Sequence, residues 1–172
     1  GIVCTSSNAP KILEWSFAQR EKVLFFPDQH LGRWSGYKMG IPLDEIVIWN
    51  PDLEQGGLTR EQIARAKIIL WHGYCSVHQM FQPKDIIKFR NQHPDGLVIS
   101  HPECSFEVCK QSDHIGSTET ILQTVKAAPP NTRWLVGTEL NLVERLAQEV
   151  KHEGKIVQFM AGTICMCSTM QR

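Results

Sequence analysis

The sequence has no excess charge of either sign: 18 Lys and Arg stand against 18 Asp and Glu over 172 residues. A nucleic-acid or anionic-membrane surface needs a basic excess, so neither partner is expected. Long apolar runs are also missing. Stretches such as Ile68–Trp71 fall far short of the roughly 20 residues that cross a bilayer, so no membrane span is expected. No low-complexity tract or short tandem repeat occurs, which sets aside linkers and repeat arrays. No signal peptide is visible. The chain starts at Gly1 rather than Met and stops at "CSTMQR", and it is read as an internal piece of something longer. Its cysteines (Cys4, Cys75, Cys104, Cys109, Cys165 and Cys167) are too sparse for a secreted disulfide scaffold and include no C-x2-C pair of a zinc ribbon. A reduced, cytoplasmic setting is therefore expected.

What is present is ordinary globular composition, 42% apolar and 21% charged, in a length that suits one domain or two small ones. Short apolar runs alternate with amphipathic stretches. "GIVC", "KVLFF", "EIVIW", "KIILW", "GLVIS", "HIG", "TRWLVG" and "KIVQFM" read as strands. "NAPKILEWSFAQR", "VHQMFQPKDIIKFRNQ", "CSFEVCKQ", "STETILQTVKAA" and "ELNLVERLAQEV" read as helices, and Thr59 with Gln62 forms a capping-box pattern before another. Residues 33–58, rich in Gly, Pro, Asp and Asn, read mostly as loop. The alternation predicts an α/β fold of small three-layer α/β/α domains with parallel sheets.

Parallel sheets carry ligands beyond the carboxyl ends of their strands. That rule selects the loops "TSSNA", "PDQHLG", "HGYCSVH", "HPEC", "GSTET", "GTE" and "GTICMC". Ser6 in the first, and Ser117 and Thr118 in "GSTET", open helices, where backbone N–H groups and hydroxyls attract anions; the plainer reading is that they only cap. His101 exchanges a proton near neutrality, and Glu103 two residues on would orient it; the alternative is a turn built on Pro102. His72, Cys75 and His78 follow the spacing His-x2-Cys-x2-His. They fit a zinc site completed by Cys104 or a distal cysteine, a thiolate with His78 as base, one arm of an iron–sulfur site, or plain packing. Asp28 follows Pro27 as in a turn, and Glu139 sits at a helix start, where it complements the dipole.

Taken in order, "CTSSNA", "FFPDQHLG", "WHGYCSVH", "HPEC", "GSTET", "GTE" and "CMCSTM" resemble the quinolinate synthase family over almost the whole chain. The resemblance implies condensation of iminoaspartate with dihydroxyacetone phosphate to quinolinate, with loss of phosphate and water, in NAD biosynthesis. It implies a [4Fe–4S] cluster on three cysteines and an intact protein of three α/β domains around a pseudo-threefold axis. On it, residues 1–71 end the second domain, 72–160 form the third, and 161–172 begin a cluster-binding tail. Cys75 and Cys167 look like two cluster ligands, the remaining one lying outside this chain, and Cys165 stands beside Cys167. His101 and Glu103 look like the catalytic pair. Ser6, His101, Ser117 and Thr118 look like substrate-binding residues, and His78 like a pocket wall. Functional coupling to an L-aspartate oxidase or dehydrogenase, and a homodimer, are further expectations. Residues 33–67 look like an insertion. The competing readings are a zinc-dependent α/β lyase or hydrolase, and a sugar-phosphate-binding module without catalysis.

Overall fold

A computed structural model describes residues 1–161. Cys165, Cys167 and the expected cluster-binding tail 161–172 lie, after residue 161, outside the described residues. The chain divides into two units, the first running Gly1–Cys75 and the second beginning at Ser76.

The first unit runs α1 (Ala9–Gln19), β1 (Val23–Phe25), α2 (Gln29–Lys38), β2 (Ile46–Trp49), α3 (Arg60–Arg65) and β3 (Ile68–Trp71). Its three strands are parallel in the order β1-β3-β2, with Val23 and Ile46 both opposite Ile68. Phe25, Ile46, Ile68 and Leu70 bury one face against Ala9 and Leu13 of α1 and Leu31 of α2. Pro10 enters the first turn of α1, where its missing N–H costs nothing. Thr59 and Gln62 form the reciprocal capping box their spacing predicts, and α3 follows.

The second unit runs α4 (Pro83–Gln92), β4 (Leu97–Ser100), α5 (Phe106–Gln111), β5 (His114–Ile115), α6 (Thr118–Ala127), β6 (Arg133–Gly137), α7 (Leu140–Val150) and β7 (Ile156–Phe159). All four strands are parallel, in the order β5-β4-β6-β7. Ile99, Trp134 and Val136 pack with Ile121 and Val125 of α6 and Val143, Leu146 and Val150 of α7. Those helical positions recur at i, i+3, i+4 and i+7, the spacing of one buried face. Each large apolar side chain fully buried there contributes roughly 1.5–3 kcal/mol relative to exposure. The parallel α/β class expected from the alternation is what forms, with helices flanking both sheets.

Two expectations fail. Residues 1–4 pair with no strand among the described residues, although "GIVC" reads as one. Apolar β-branched residues do not make a strand without a ladder partner. Residues 33–58 hold more regular structure than the expected strand alone, because α2 reaches Lys38 and 3-10 turns form at Leu43–Glu45 and Glu54–Gly57. The glycines that suggested a loop have another use. Gly32 and Gly36 sit one turn apart, and a Cβ on either would run into the sheet, onto Leu70 and Phe25 at Gly32 and onto Ile68 and Ile46 at Gly36. They let α2 approach the strands closely. Gly32→Leu is expected to overpack this contact and cost about 1–3 kcal/mol, measured as a fall in the urea midpoint. An unchanged midpoint contradicts the close approach.

Candidate active site

In the first unit, two loops leave the carboxyl edge of the sheet and are tied to each other. The loop after β1 carries Asp28, whose side chain is buried. One carboxylate oxygen accepts from Leu31 N at 2.7 Å and caps α2; the other accepts from Cys75 N at 3.0 Å. Beside this, Gln29 N donates to Gly73 O at 2.9 Å. A Cβ on Gly73 would strike the Pro27 carbonyl, so only glycine lets the two loops meet. Cys75 is half-buried at this edge, its backbone held by Asp28. Sequence reasoning read Asp28 as a turn residue and missed this second bond. The Asp-to-Leu31 capping interval was a visible signal; the bond to Cys75, 47 residues away, had none.

His72 is exposed, and its backbone N–H continues the sheet by donating to Trp49 O at 2.9 Å. Ser6 is half-buried in the turn before α1. That turn is largely self-satisfied. Asn8 Oδ1 accepts from Thr5 N at 2.7 Å rather than capping the helix, and the Thr5 and Ser7 hydroxyls lie 2.8 Å apart.

In the second unit, β4, β5 and β6 deliver three loops to one edge. Ser100, the last residue of β4, stands opposite both Ile115 and Gly137. The next residue, His101, is buried, and its backbone N–H donates to Gly137 O at 2.9 Å. Its ring stacks on His78, with centroids 4.6 Å apart and planes 13° from parallel. His78 is also buried, in the 3-10 turn His78–Met80, and its Nδ1 lies 3.2 Å from a Glu103 carboxylate oxygen. His78, His101 and Glu103 therefore form one cluster. Ser117 is buried at the head of α6, and its hydroxyl accepts from Thr120 N at 3.4 Å. Thr118 is exposed in the first turn of the same helix. Glu139 caps α7 through Asn141 N and Leu142 N, as its position at a helix start predicts. Cys104 and Cys109 are buried, and their thiols donate to carbonyls of this edge, Gly137 O for Cys104 and His101 O for Cys109.

The electrostatics of the cluster are uneven. Burial pushes the His101 pKa down to about 4, and a charged His78 would push the same way; the Glu103 carboxylate opposes both and loses. His101 is thus neutral near pH 7. Its Nδ1 accepts from Glu103 N at 3.4 Å, which assigns the ring proton to Nε2. A neutral imidazole with a fixed Nε2–H donates a hydrogen bond to a developing oxyanion, and is a weak base. Glu103 supplies the negative charge and a proton acceptor beside it.

A histidine whose folded pKa lies below its unfolded value of about 6.5 stabilises the fold above pH 6.5, and that stability is lost as pH falls through about 4. His101 is expected to contribute up to about 3 kcal/mol to this loss. Urea midpoints between pH 7 and pH 4 should fall less steeply in His101→Gln than in the parent. Equal slopes would mean that His101 is not held neutral by burial.

No helix among the described residues is long and apolar enough to cross a membrane. The family model described as NadA, quinolinate synthetase A protein, matches residues 1–172. Curated quinolinate synthases align with the whole chain. That of Rhodopirellula baltica is 49% identical over 173 residues, that of Acidobacterium capsulatum 48% over 172, and that of Streptomyces coelicolor 47% over 173. The chain covers 44%, 46% and 44% of these relatives, just under half their length. With a family match from its first residue to its last, the chain belongs to the quinolinate synthetase A family.

Proposed function

We propose that this chain is part of a quinolinate synthase, which joins iminoaspartate to dihydroxyacetone phosphate and releases quinolinate, one phosphate and two waters. The observation that carries the reading is the family match along the whole chain. The buried His78–His101–Glu103 cluster at a carboxyl sheet edge supports it. The condensation needs groups that move protons while carbon–nitrogen and carbon–carbon bonds form and water leaves. His101, neutral with its Nε2–H available, donates to a substrate oxygen, and Glu103 takes and returns protons. Ser6, Ser117 and Thr118 bind phosphate and carboxylate groups through hydroxyls at helix starts.

The cofactor of this reading is a [4Fe–4S] cluster. Cys75 fits a ligand position: a half-buried cysteine at a strand end, with its backbone anchored by a buried carboxylate. Cys167 would be a second ligand, and the third belongs to the longer protein. When bound, the cluster supplies a Lewis-acidic iron for substrate oxygens. Asp28 holds the Cys75 backbone, and α2 is fixed in the same step. The reading places the protein in the cytoplasm, using iminoaspartate made by an L-aspartate oxidase or dehydrogenase.

The longer protein, purified without oxygen, tests this directly. Iron content, visible absorbance and quinolinate formation should all fall in Cys75→Ala and Cys167→Ala. His101→Ala and Glu103→Gln should keep the iron and the colour but lose at least about 100-fold in turnover, as removal of a proton-transfer group does. Stoichiometric zinc in a colourless parent protein, or unchanged turnover in the cysteine variants, overturns the proposal.

A further inference from the structure

The serine that opens α6 lies beside a second hydroxyl that the proposed reaction leaves unused. Ser117 is buried, and its Oγ has two neighbours in the first turn of the helix. The Thr120 N–H donates to it at 3.4 Å, and Thr120 Oγ1 lies closer, at 3.1 Å. A serine hydroxyl has one proton and two acceptor positions. The backbone N–H takes one acceptor position. Between the two hydroxyls, either oxygen can donate.

A bound acid group removes that freedom. The ionised oxygens of a phosphate or carboxylate only accept, so Ser117 holds one only by giving up its single proton to it. The bond between the hydroxyls then has to run one way, with Thr120 donating into the second acceptor position of Ser117. Every hydrogen-bonding position of the Ser117 hydroxyl is then used. A hydroxyl that accepts also donates more strongly, since each bond polarises the next.

The fold holds Thr120 in place for this. It stands three residues past Ser117, so its side chain lies over the start of the helix. A Cβ on Gly116 would overlap the Thr120 side chain, so the threonine packs directly on the Gly116 backbone. Gly116 in turn is tied to β4, its N–H donating to Ser100 O at 3.2 Å, one residue before His101. The turn Gly116–Ser117 thus stands on the same strand end as the His78–His101–Glu103 cluster. The Thr120 methyl makes the contact with Gly116 and the hydroxyl makes the bond to Ser117, so the two branches of the side chain have separate tasks.

We propose that Thr120 is a positioning residue for substrate binding: its hydroxyl donates to Ser117 Oγ and leaves the Ser117 proton for an acid group of the substrate, a phosphate or a carboxylate. The proposal rests on the reading of Ser117 as an anion ligand. Thr120→Val keeps the branched shape and the methyl contact but loses the bond. Thr120→Ser keeps the hydroxyl and loses the methyl.

Steady-state kinetics of the longer protein, carrying its cluster, separate these roles. Ser117→Ala identifies the substrate whose KM depends on Ser117. Thr120→Val should raise that same KM roughly five- to tenfold, as the loss of one hydrogen bond does, with kcat and iron content unchanged. Thr120→Ser should keep the parent KM. In a Ser117→Ala background, Thr120→Val should add nothing, because Thr120 acts only through Ser117. A raised KM in Thr120→Ser beside a parent-like Thr120→Val means that packing alone matters and overturns the proposal. A further rise in the double variant makes Thr120 a ligand in its own right and overturns it too. A parent-like KM in Thr120→Val overturns it while leaving Ser117 an anion ligand. A parent-like KM for both substrates in Ser117→Ala overturns the reading of Ser117 and this proposal together.

Discussion

Everything in this chain depends on parallel strand pairing. Every ladder among the described residues is parallel. A parallel neighbour is out of reach of a tight hairpin, so each strand must be followed by a crossover. Within each sheet the loops that leave strands therefore emerge along the carboxyl edge of that sheet, and most run straight into a helix. Asp28, Ser117 and Glu139 are found there because those helix starts need acceptors for orphan N–H groups. The same N–H groups attract anions. A Ser or Thr hydroxyl at such a position serves equally as a structural cap or as an anion ligand, which is why Ser117 admits two readings from sequence, whereas the Glu139 carboxylate admits only the cap.

Burial decides the chemistry of the histidine cluster. Placing an imidazole where its ring is out of water disfavours the charged form, and a second imidazole stacked on it adds repulsion. The nearby Glu103 carboxylate is the only opposing influence and is the weakest of the three. His101 is therefore suited to donate from Nε2 rather than to accept a proton near neutrality. Glu103, half-exposed and against His78, is the better proton acceptor. That division of labour follows from position in the fold and not from residue type, since both residues carry groups able to act either way.

The legible part of the sequence was the part governed by local rules. Strand and helix types followed from periodicity, the α3 capping box from Thr59 and Gln62, and the Glu139 cap from its place after β6. The illegible part involved contacts between distant residues. Helix α2 was not legible because its surroundings are rich in Gly, Pro, Asp and Asn, whereas against β1, β2 and β3 the missing side chains of Gly32 and Gly36 are what the packing requires. Asp28 looked like a turn residue because its bond to Cys75 spans two strands of the sheet. The stacking of His78 on His101 depends on a turn and a strand end that only the fold brings together. The motif order did reveal the family, because several short motifs in one order are specific even when their individual contacts cannot be read.

The failure at "GIVC" has a different character, and it connects three observations that otherwise stand apart. Residues 1–4 have strand composition and no ladder, Leu24 and Phe26 are exposed beside a strand whose other edge is paired, and an apolar groove separates them. Treated singly, each is a local oddity. A mispredicted strand explains nothing about Leu24, and an exposed Leu24 explains nothing about Val3. All three meet at the edge of β1 away from β3, since residues 1–4 line the groove on one side and Leu24 and Phe26 on the other. The second unit makes the same point in reverse. There β4 lies between β5 and β6, and β6 is buried from Trp134 to Gly137. Strand composition at residues 1–4 records a local preference, and with no ladder partner among the described residues it makes no strand.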